Sequence, residues 1–551
     1  MDPMRRLTLA VVLLLTATLA ADAPRVAPPA PESDPAVRLV VLVAVDQFRP
    51  DYLTRFRSEY TGGLARLLNE GATFADARLE HYPTVTAIGH STMLTGALPA
   101  VSGIIGNDWY DRAEGRSVTS VSDPGTTLIG AEGTGSSPHR LQVSTVGDEL
   151  KVAAPRGGPA PKVIGLSLKD RSAILPSGHQ ADVAVWFHGA SGNFVTSSYY
   201  GTTAPAWLEA FNARRPFDAF AGKLWEFPGG PSGNGRVMPT EIGSRLYGAA
   251  AGSPFGNEVL ADLAIAALEA EKLGQRGVTD LLSVSFSSND SVGHTYGPDS
   301  PEVHDISVRT DRVLARLFAR IDALVGLDRT IVVLTADHGV APLPEVQQER
   351  RLPGGRIPGS AIFDPIEAAL DAKYGEAKWI LATAGSSPYL NHAVAAERGL
   401  DLEEVRNVAA KAVMTVPQVA RVYTRDQLLR GQVPDDIIGR RIARSYHLQR
   451  SGDLEIVLQP YWLRSSSGTT HGTPYRYDSQ VPLVFMGPGI RPGTYHNPVA
   501  LNDLAPTVAA LIGIPAPGGS VGRVLTEMLR STPSAPPVPS AALTGADAPA
   551  R

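Results

Sequence analysis

The stretch Leu39-Val40-Val41-Leu42-Val43-Ala44-Val45-Asp46 decides the architecture. Its apolar residues neither alternate with polar ones nor extend far enough for a buried helix, and most are β-branched. Such a run is a strand covered on both faces, the situation of strands in a parallel sheet flanked by helices. Working outward, runs of the same character lie at 163–168, 281–286, 331–334 and 483–486, each ending in polar residues. Helical patterns separate them. Residues 258–273 place Val259, Leu260, Leu263, Ala267 and Leu268 on one face and stop before Gly274, while Val313, Leu314, Leu317, Ile321 and Leu324 recur at three- and four-residue steps downstream of a Ser300-Pro301 start. Strands alternating with helices predict an α/β fold with a central, mostly parallel sheet, whose ligands gather beyond the carboxyl ends of the strands.

The rest of the chain is read against that frame of strands. At 551 residues, 43% hydrophobic and 19% charged, it can bury a large core, and 54 glycines with 45 prolines predict many turns and long loops. A net charge of −5 offers no field for polyanions, so nucleic acid is not expected as a dedicated partner. The absence of cysteine excludes disulfides, thiolate metal sites and cysteine nucleophiles. Arg5-Arg6, the apolar run 7–21 and Ala21-Asp22-Ala23 read as a signal peptide over 1–23; the run falls short of the roughly 20 residues a membrane span needs. A Pro/Ala-rich linker follows at 24–36, and 531–551 reads as a disordered tail. The mature protein is therefore expected to be extracytoplasmic, periplasmic or secreted, with no stable membrane anchor. The core is expected in two parts, 37–339 and 469–530, interrupted by 340–468, whose helical stretch at 402–414 and strand at 454–458 suggest an inserted cap or lid with a small α/β unit; an equal partner domain is the alternative.

Chemistry concentrates at the strand ends. Asp46 directly follows the first strand, Asp337-His338-Gly339 follows 331–334, and Asp290 and His294 follow 281–286 at a spacing that puts both on one face of a helical turn. His471 lies before the strand at 483–486, and the other histidines show no such placement. Three aspartates and three histidines without sulfur suit zinc, with manganese or iron as alternatives, and suffice for two open sites. Singly, each has a plainer reading as a helix cap, a turn residue or a surface histidine. In Tyr82-Pro83-Thr84-Val85-Thr86-Ala87-Ile88-Gly89-His90-Ser91, Thr86 stands where a loop enters a helix, so its hydroxyl would meet an anion at the positive end of the helix dipole. Metal coordination could ionise that hydroxyl into a nucleophile; an N-cap role is the alternative for Thr86, and Thr84 competes for either. If the chain stays extended through Lys169-Asp170-Arg171, the two cations point the same way as a clamp for phosphoryl oxygens, the alternative being a solvated charge run. Asn107 is a possible amide donor to an oxyanion.

These residues, in this order, resemble the alkaline phosphatase superfamily, most closely its PafA-like and PhoK-like bacterial alkaline phosphatases with a threonine nucleophile, over 41–107, 169–171, 287–297, 335–339 and 471–482. The resemblance implies an alkaline-phosphatase-like core with an inserted cap and two Zn2+ per chain: Asp290, His294 and His471 on one ion, Asp46, Asp337 and His338 on the other, with Thr86 bridging toward the second. It also implies that Asn107, Lys169 and Arg171 bind the non-bridging phosphoryl oxygens. The expected reaction is hydrolysis of small-molecule phosphate monoesters through a phospho-threonine intermediate. Diester-cleaving nucleotide pyrophosphatases are similar around Tyr82 to Thr86, so a phosphodiesterase on the same core is the rival; Lys169 with Arg171 favours the monoester, which carries one more charged oxygen. A non-catalytic, metal-stabilised binding ectodomain is a third reading.

Overall fold

The computed structural model describes residues 37–154, 157–227 and 235–530. The expected signal peptide, linker and tail lie outside the described residues. Strands β1 (Leu39–Val45), β2 (Ala72–Arg78), β3 (Ser122–Ile129), β4 (Thr134–Ser136), β5 (Val163–Ser167), β6 (Val183–His188), β7 (Asn193–Ser197), β8 (Asp280–Phe286), β9 (Thr330–Thr335), β10 (Gln480–Met486), β11 (Gly493–Tyr495) and β12 (Val499–Ala500) form one 12-stranded sheet. Their spatial order is β11-β2-β10-β9-β1-β8-β5-β6-β7-β3-β4, with β12 beside β2.

The centre of this sheet, β9-β1-β8-β5-β6, is parallel throughout. Outside it, β10 joins β9 and β7 joins β6 antiparallel, so the sheet is mixed at its edges. The strand that opened the sequence argument occupies the middle and is buried along its whole length. Register decides where the chemistry falls. Val45 stands level with Phe286, Ala44 with Thr335 and Ser285 with Ser167, so the carboxyl ends of four neighbouring strands finish at one height.

Helices α1 (Gly63–Glu70), α2 (Thr86–Thr95), α3 (Asp170–Ile174), α4 (Pro254–Ala270), α5 (Ser288–Tyr296) and α6 (Pro301–Leu324) lie between these strands in the chain. Ser300 starts α6 as its sequence predicts, its hydroxyl accepting the Val303 N–H at 3.2 Å. The helix predicted over 258–273 instead begins a turn earlier at Pro254, because Ser253 and Pro254 supply a start signal of the same kind, and it ends at Ala270; Gly274 takes the left-handed conformation beyond it, φ +74°. Buried Asp311 of α6 ties that helix to α1, its carboxylate accepting the backbone N–H groups of Thr61, Gly62, Leu64 and Ala65 at 2.7 to 3.1 Å.

Between β9 and β10, residues 340–468 build α7 (Ser360–Tyr374), α8 (Leu402–Val413), α9 (Ile437–Ser445) and small two-stranded sheets, among them Val419–Thr424 paired with Leu454–Leu458. Ile362, Ile366, Leu370, Trp379, Val405 and Ala409 form an apolar cluster separate from the main core. Buried Asp453 joins this region together, accepting from Arg406 Nε at 2.8 Å, from Arg112, and from the Leu390 N–H at 2.8 Å, with His392 Nε2 2.8 Å away. Among the described residues no helix is long and apolar enough to cross a membrane.

Candidate active site

The level strand ends deliver three buried aspartates to one place. Asp46 leaves β1, Asp290 sits in the first turn of α5 after β8, and Asp337 lies just beyond β9. Lys169, at the end of β5, bridges two of them: its Nζ is 2.6 Å from Asp46 Oδ2 and 2.7 Å from Asp290 Oδ2. Burial would raise Asp290, but Lys169 and then His294 hold it well below the ordinary carboxylate range. Asp46 goes the other way, pushed up by burial and by the charges of Asp290 and Asp337. Three carboxylates around one ammonium leave the site short of positive charge.

The histidines are oriented by backbone carbonyls. His294 Nδ1 lies 2.7 Å from Thr469 O, His338 Nδ1 3.0 Å from Gly339 O and His471 Nδ1 2.8 Å from Thr84 O, contacts that require the proton on Nδ1 and turn Nε2 toward the cluster. Each Nε2 faces a carboxylate: His294 lies 3.1 Å and His471 3.8 Å from Asp290 Oδ1, and His338 lies 3.4 Å from Asp337 Oδ2. Burial pushes His338 and His471 below the ordinary imidazole value and so favours the neutral rings that bind metals.

Two groups offer ligand atoms within 4.8 Å of one another, Asp46 with Asp337 and His338, and Asp290 with His338 and His471. His338 thus stands between the two groups, while His294 flanks Asp290. Asp46 Oδ1 and Asp337 Oδ2 are buried without a hydrogen-bond partner among the described residues. An orphaned carboxylate oxygen costs several kcal/mol unless a cation meets it, so the donor set fits divalent metal.

Thr86 is the first residue of α2, with its hydroxyl 3.4 Å from His338 Nε2. It caps nothing. Asn107 does that work instead, its Oδ1 accepting the Ala87 N–H at 2.9 Å and leaving its Nδ2 without a protein acceptor among the described residues. Thr84 turns away, donating its hydroxyl to Thr473 O at 2.8 Å.

The extended Lys169-Asp170-Arg171 geometry is not formed. The chain turns helical at Asp170, whose carboxylate accepts the Arg171 N–H at 2.7 Å, so the two cations do not alternate along a strand. Lys169 enters the carboxylate cluster, whereas Arg171 makes only a 3.9 Å contact to Asp170 and keeps Nε unpartnered.

Three residues at the site escaped the sequence reading, two of them histidines set aside for lack of a strand end. His90 follows Thr86 by one helical turn; its Nδ1 lies 2.9 Å from Thr86 O and 3.3 Å from Asp337 Oδ2, and its Nε2 2.7 Å from Ser285 Oγ. The four-residue step from Thr86 was the available signal. His81 is buried with neither ring nitrogen partnered, and burial, with Arg441 and His338, lowers its pKa to about 3. Gln47 adopts φ +65°, an unusual conformation for its residue type, and from it donates its backbone N–H to Asp337 Oδ1 at 3.1 Å and its Nε2 to Asp290 Oδ1 at 2.6 Å. Only its position beside Asp46 hinted at this bridge.

A cavity of about 550 Å³ opens beside the cluster, running from Asn107, His294 and His471 to Tyr389, Glu455 and Trp462 of the 340–468 region. The clustered groups can thus meet a substrate whose remainder rests against that region.

The chain matches the family model "Type I phosphodiesterase / nucleotide pyrophosphatase" over residues 40–476. It is 36% identical to alkaline phosphatase PafA of Elizabethkingia meningoseptica, covering 90% of this chain and 95% of that one. It is 34% identical to alkaline phosphatase PhoV of Synechococcus elongatus, covering 91% and 94%. The crystal structure of wild-type alkaline phosphatase PafA superposes with a TM-score of 0.84 at 35% identity, over 90% of this chain and 99% of the other.

Proposed function

This chain belongs to the type I phosphodiesterase / nucleotide pyrophosphatase family, within the alkaline phosphatase superfamily, and from that membership we propose its function: it is an alkaline phosphatase, a phosphoric monoester hydrolase. The observation that carries the mechanism is Thr86. Its hydroxyl, buried at the start of α2, 3.4 Å from His338 Nε2 and uncommitted to capping, supports the reading of Thr86 as the nucleophile. Asp46, Asp337 and His338 would hold one zinc ion and Asp290, His294 and His471 a second, which when bound would supply Lewis acidity to lower the pKa of this hydroxyl and to stabilise the departing alkoxide.

The chain's own groups do the rest. Thr86 Oγ attacks phosphorus in line, forming the Oγ–P bond as the bond to the leaving alcohol breaks, and water then releases phosphate from phospho-Thr86. Asn107 Nδ2, Arg171 and Lys169 hold the non-bridging oxygens, and the positive end of α2 faces the same charge. Gln47 and His90 act through the ligands, Gln47 spanning Asp290 and Asp337 and His90 joining Thr86 O to Asp337. Residues 340–468 form a cap over the leaving group. The enzyme works outside the cytoplasm, periplasmic or secreted, on small-molecule phosphate monoesters.

The family also contains diesterases, which makes phosphodiester hydrolysis the second reading. Lys169 and Arg171 favour monoesters, because a dianionic phosphoryl group gains more from two extra cations than a monoanionic one. The deciding experiment compares kcat/KM for an aryl phosphate monoester and its matching diester, with metal content measured by mass spectrometry on the same sample. A monoester preference with two metal equivalents is expected; a diester preference would establish the second reading.

A further inference from the structure

The far wall of the cavity carries a carboxylate with no cationic partner among the described residues. Glu455, on the strand Leu454–Leu458, lies recessed in the wall with Ser387 Oγ 3.1 Å from its Oε1 as its one hydrogen-bond partner among the described residues. Burial pushes its pKa up to about 7, and no cationic side chain offsets this. Of the neighbouring arginines, Arg112 pairs with Asp453 and lies 5.3 Å from the Tyr389 ring centroid, and Arg464 lines the same cavity but donates to Gly385 O, its guanidinium 5.2 Å from the Phe363 ring; neither forms an ion pair with Glu455 among the described residues.

Aromatic rings surround this acid. Tyr82, Tyr389, Tyr446 and Trp462 line the same cavity, and the first three are close enough for the Glu455 charge to add to burial in raising their pKa values. Their hydroxyls are already spent on backbone carbonyls: Tyr82 on Ile456 O at 2.9 Å, Tyr389 on Arg450 O at 2.7 Å and Tyr446 on Gly452 O at 2.8 Å. What remains for a ligand is ring surface around one carboxylate. Ring faces carry negative electrostatic potential, and together with an unbalanced carboxylate they attract an organic cation more than a neutral group of the same shape.

We propose that this wall is the leaving-group subsite and that it selects phosphate monoesters of alcohols bearing a cationic amine, the ammonium lying against Glu455 and the tyrosine rings while the phosphoryl group reaches Thr86. The inference rests on the phosphatase reading of the site. It deepens that reading by naming a substrate class.

The test compares phosphocholine with 3,3-dimethylbutyl phosphate, its uncharged carbon isostere, at pH 9, where Glu455 is ionised. The wild-type enzyme should favour phosphocholine in kcat/KM by about tenfold or more, and Glu455→Gln should bring the ratio close to one, with Glu455→Asp between them. A measurement independent of any variant is inhibition of aryl phosphate hydrolysis: choline should compete with substrate, and 3,3-dimethylbutanol should compete far less. A wild-type ratio near one, or a ratio unchanged by Glu455→Gln, overturns the subsite while the phosphatase assignment stands. Failure of the wild-type enzyme to release phosphate from either ester overturns both.

Discussion

Gly89→Ala tests the geometry of the site without altering any group that does chemistry. Gly89 lies in α2 close to Thr86, and a β-carbon there would stand 2.4 Å from Asp337 O and 2.6 Å from Asp337 Cα and Cβ. Ordinary contact begins near 3.4 Å, so α2 and the Asp337 segment must separate by about 1 Å, and the obstruction is backbone that no rotamer change removes. That displacement carries the Thr86 hydroxyl away from His338 and loosens the His90 contact with Asp337 together. A misplacement of about 1 Å costs on the order of a hundredfold in catalysis, and overpacking of this kind costs about 1–3 kcal/mol of stability. The assay is kcat/KM on an aryl phosphate with metal content and thermal midpoint measured on the same preparation. Gly248→Ala, in the helix Ser244–Ala251, is the control: a β-carbon there meets nothing within 4 Å, so activity should stay at the wild-type level while that helix gains up to about 1 kcal/mol. If Gly89→Ala retains activity within threefold and melts with the wild type, the close approach of α2 to Asp337 does not set the reactive geometry.

Thr86→Ala should lower turnover by on the order of a thousandfold or more with metals still bound, and retention of activity there with loss in Thr84→Ala would reassign the nucleophile. Lys169→Ala combined with Arg171→Ala should reduce monoester kcat/KM by roughly a hundredfold and diester hydrolysis much less; parallel losses would remove these cations from specificity. Dialysis against a chelator should abolish phosphate release, and two equivalents of zinc should restore it; recovery with one would contradict the two-ion reading. Within residues 340–468, burial would raise Asp453, but His392, Arg112 and Arg406 bring its pKa down to about 2. A depressed carboxylate stabilises the fold above its unfolded value near 4, and this contribution, roughly 2 kcal/mol, disappears as pH falls toward 2. Urea midpoints of wild type and Asp453→Asn should therefore differ most at pH 5 and approach each other as pH falls toward 2; a constant difference would contradict this linkage.

What was legible in the chain was whatever local pattern dictates. Unbroken apolar runs gave the strands, and the aspartates that follow three of them gave candidate ligands, because neighbouring parallel strands here end at one height. Thr86 was readable as the opening of a helix, but its freedom from capping was not, since the group that caps α2 is Asn107, a non-local partner. Lys169 and Arg171 misled because alternation along a strand assumes that the strand continues, and Asp170 ends it by accepting its neighbour's N–H. Gln47 was invisible for a related reason. Its left-handed backbone is stabilised by Asp290 and Asp337, which come from two other strands, and no propensity of glutamine announces it. Glu455 drew no reading from the sequence, and only the convergence of Tyr82, Tyr389 and Tyr446, distant along the chain, on the same cavity makes it unusual.

The distance along the chain between Asp46 and His471 has a consequence in time. Every candidate ligand from Asp46 to His338 can be synthesised, and most of the parallel sheet paired, while His471 is still to come, because residues 340–468 separate it from β9. Contacts closed over so many residues form late and slowly. No partly made chain can therefore carry a complete set of ligands around Thr86, and the nascent protein stays inert toward the phosphate esters it passes during its own synthesis. In refolding, recovery of helical and sheet signal should precede recovery of turnover, the interval being the time His471 needs to find Thr84.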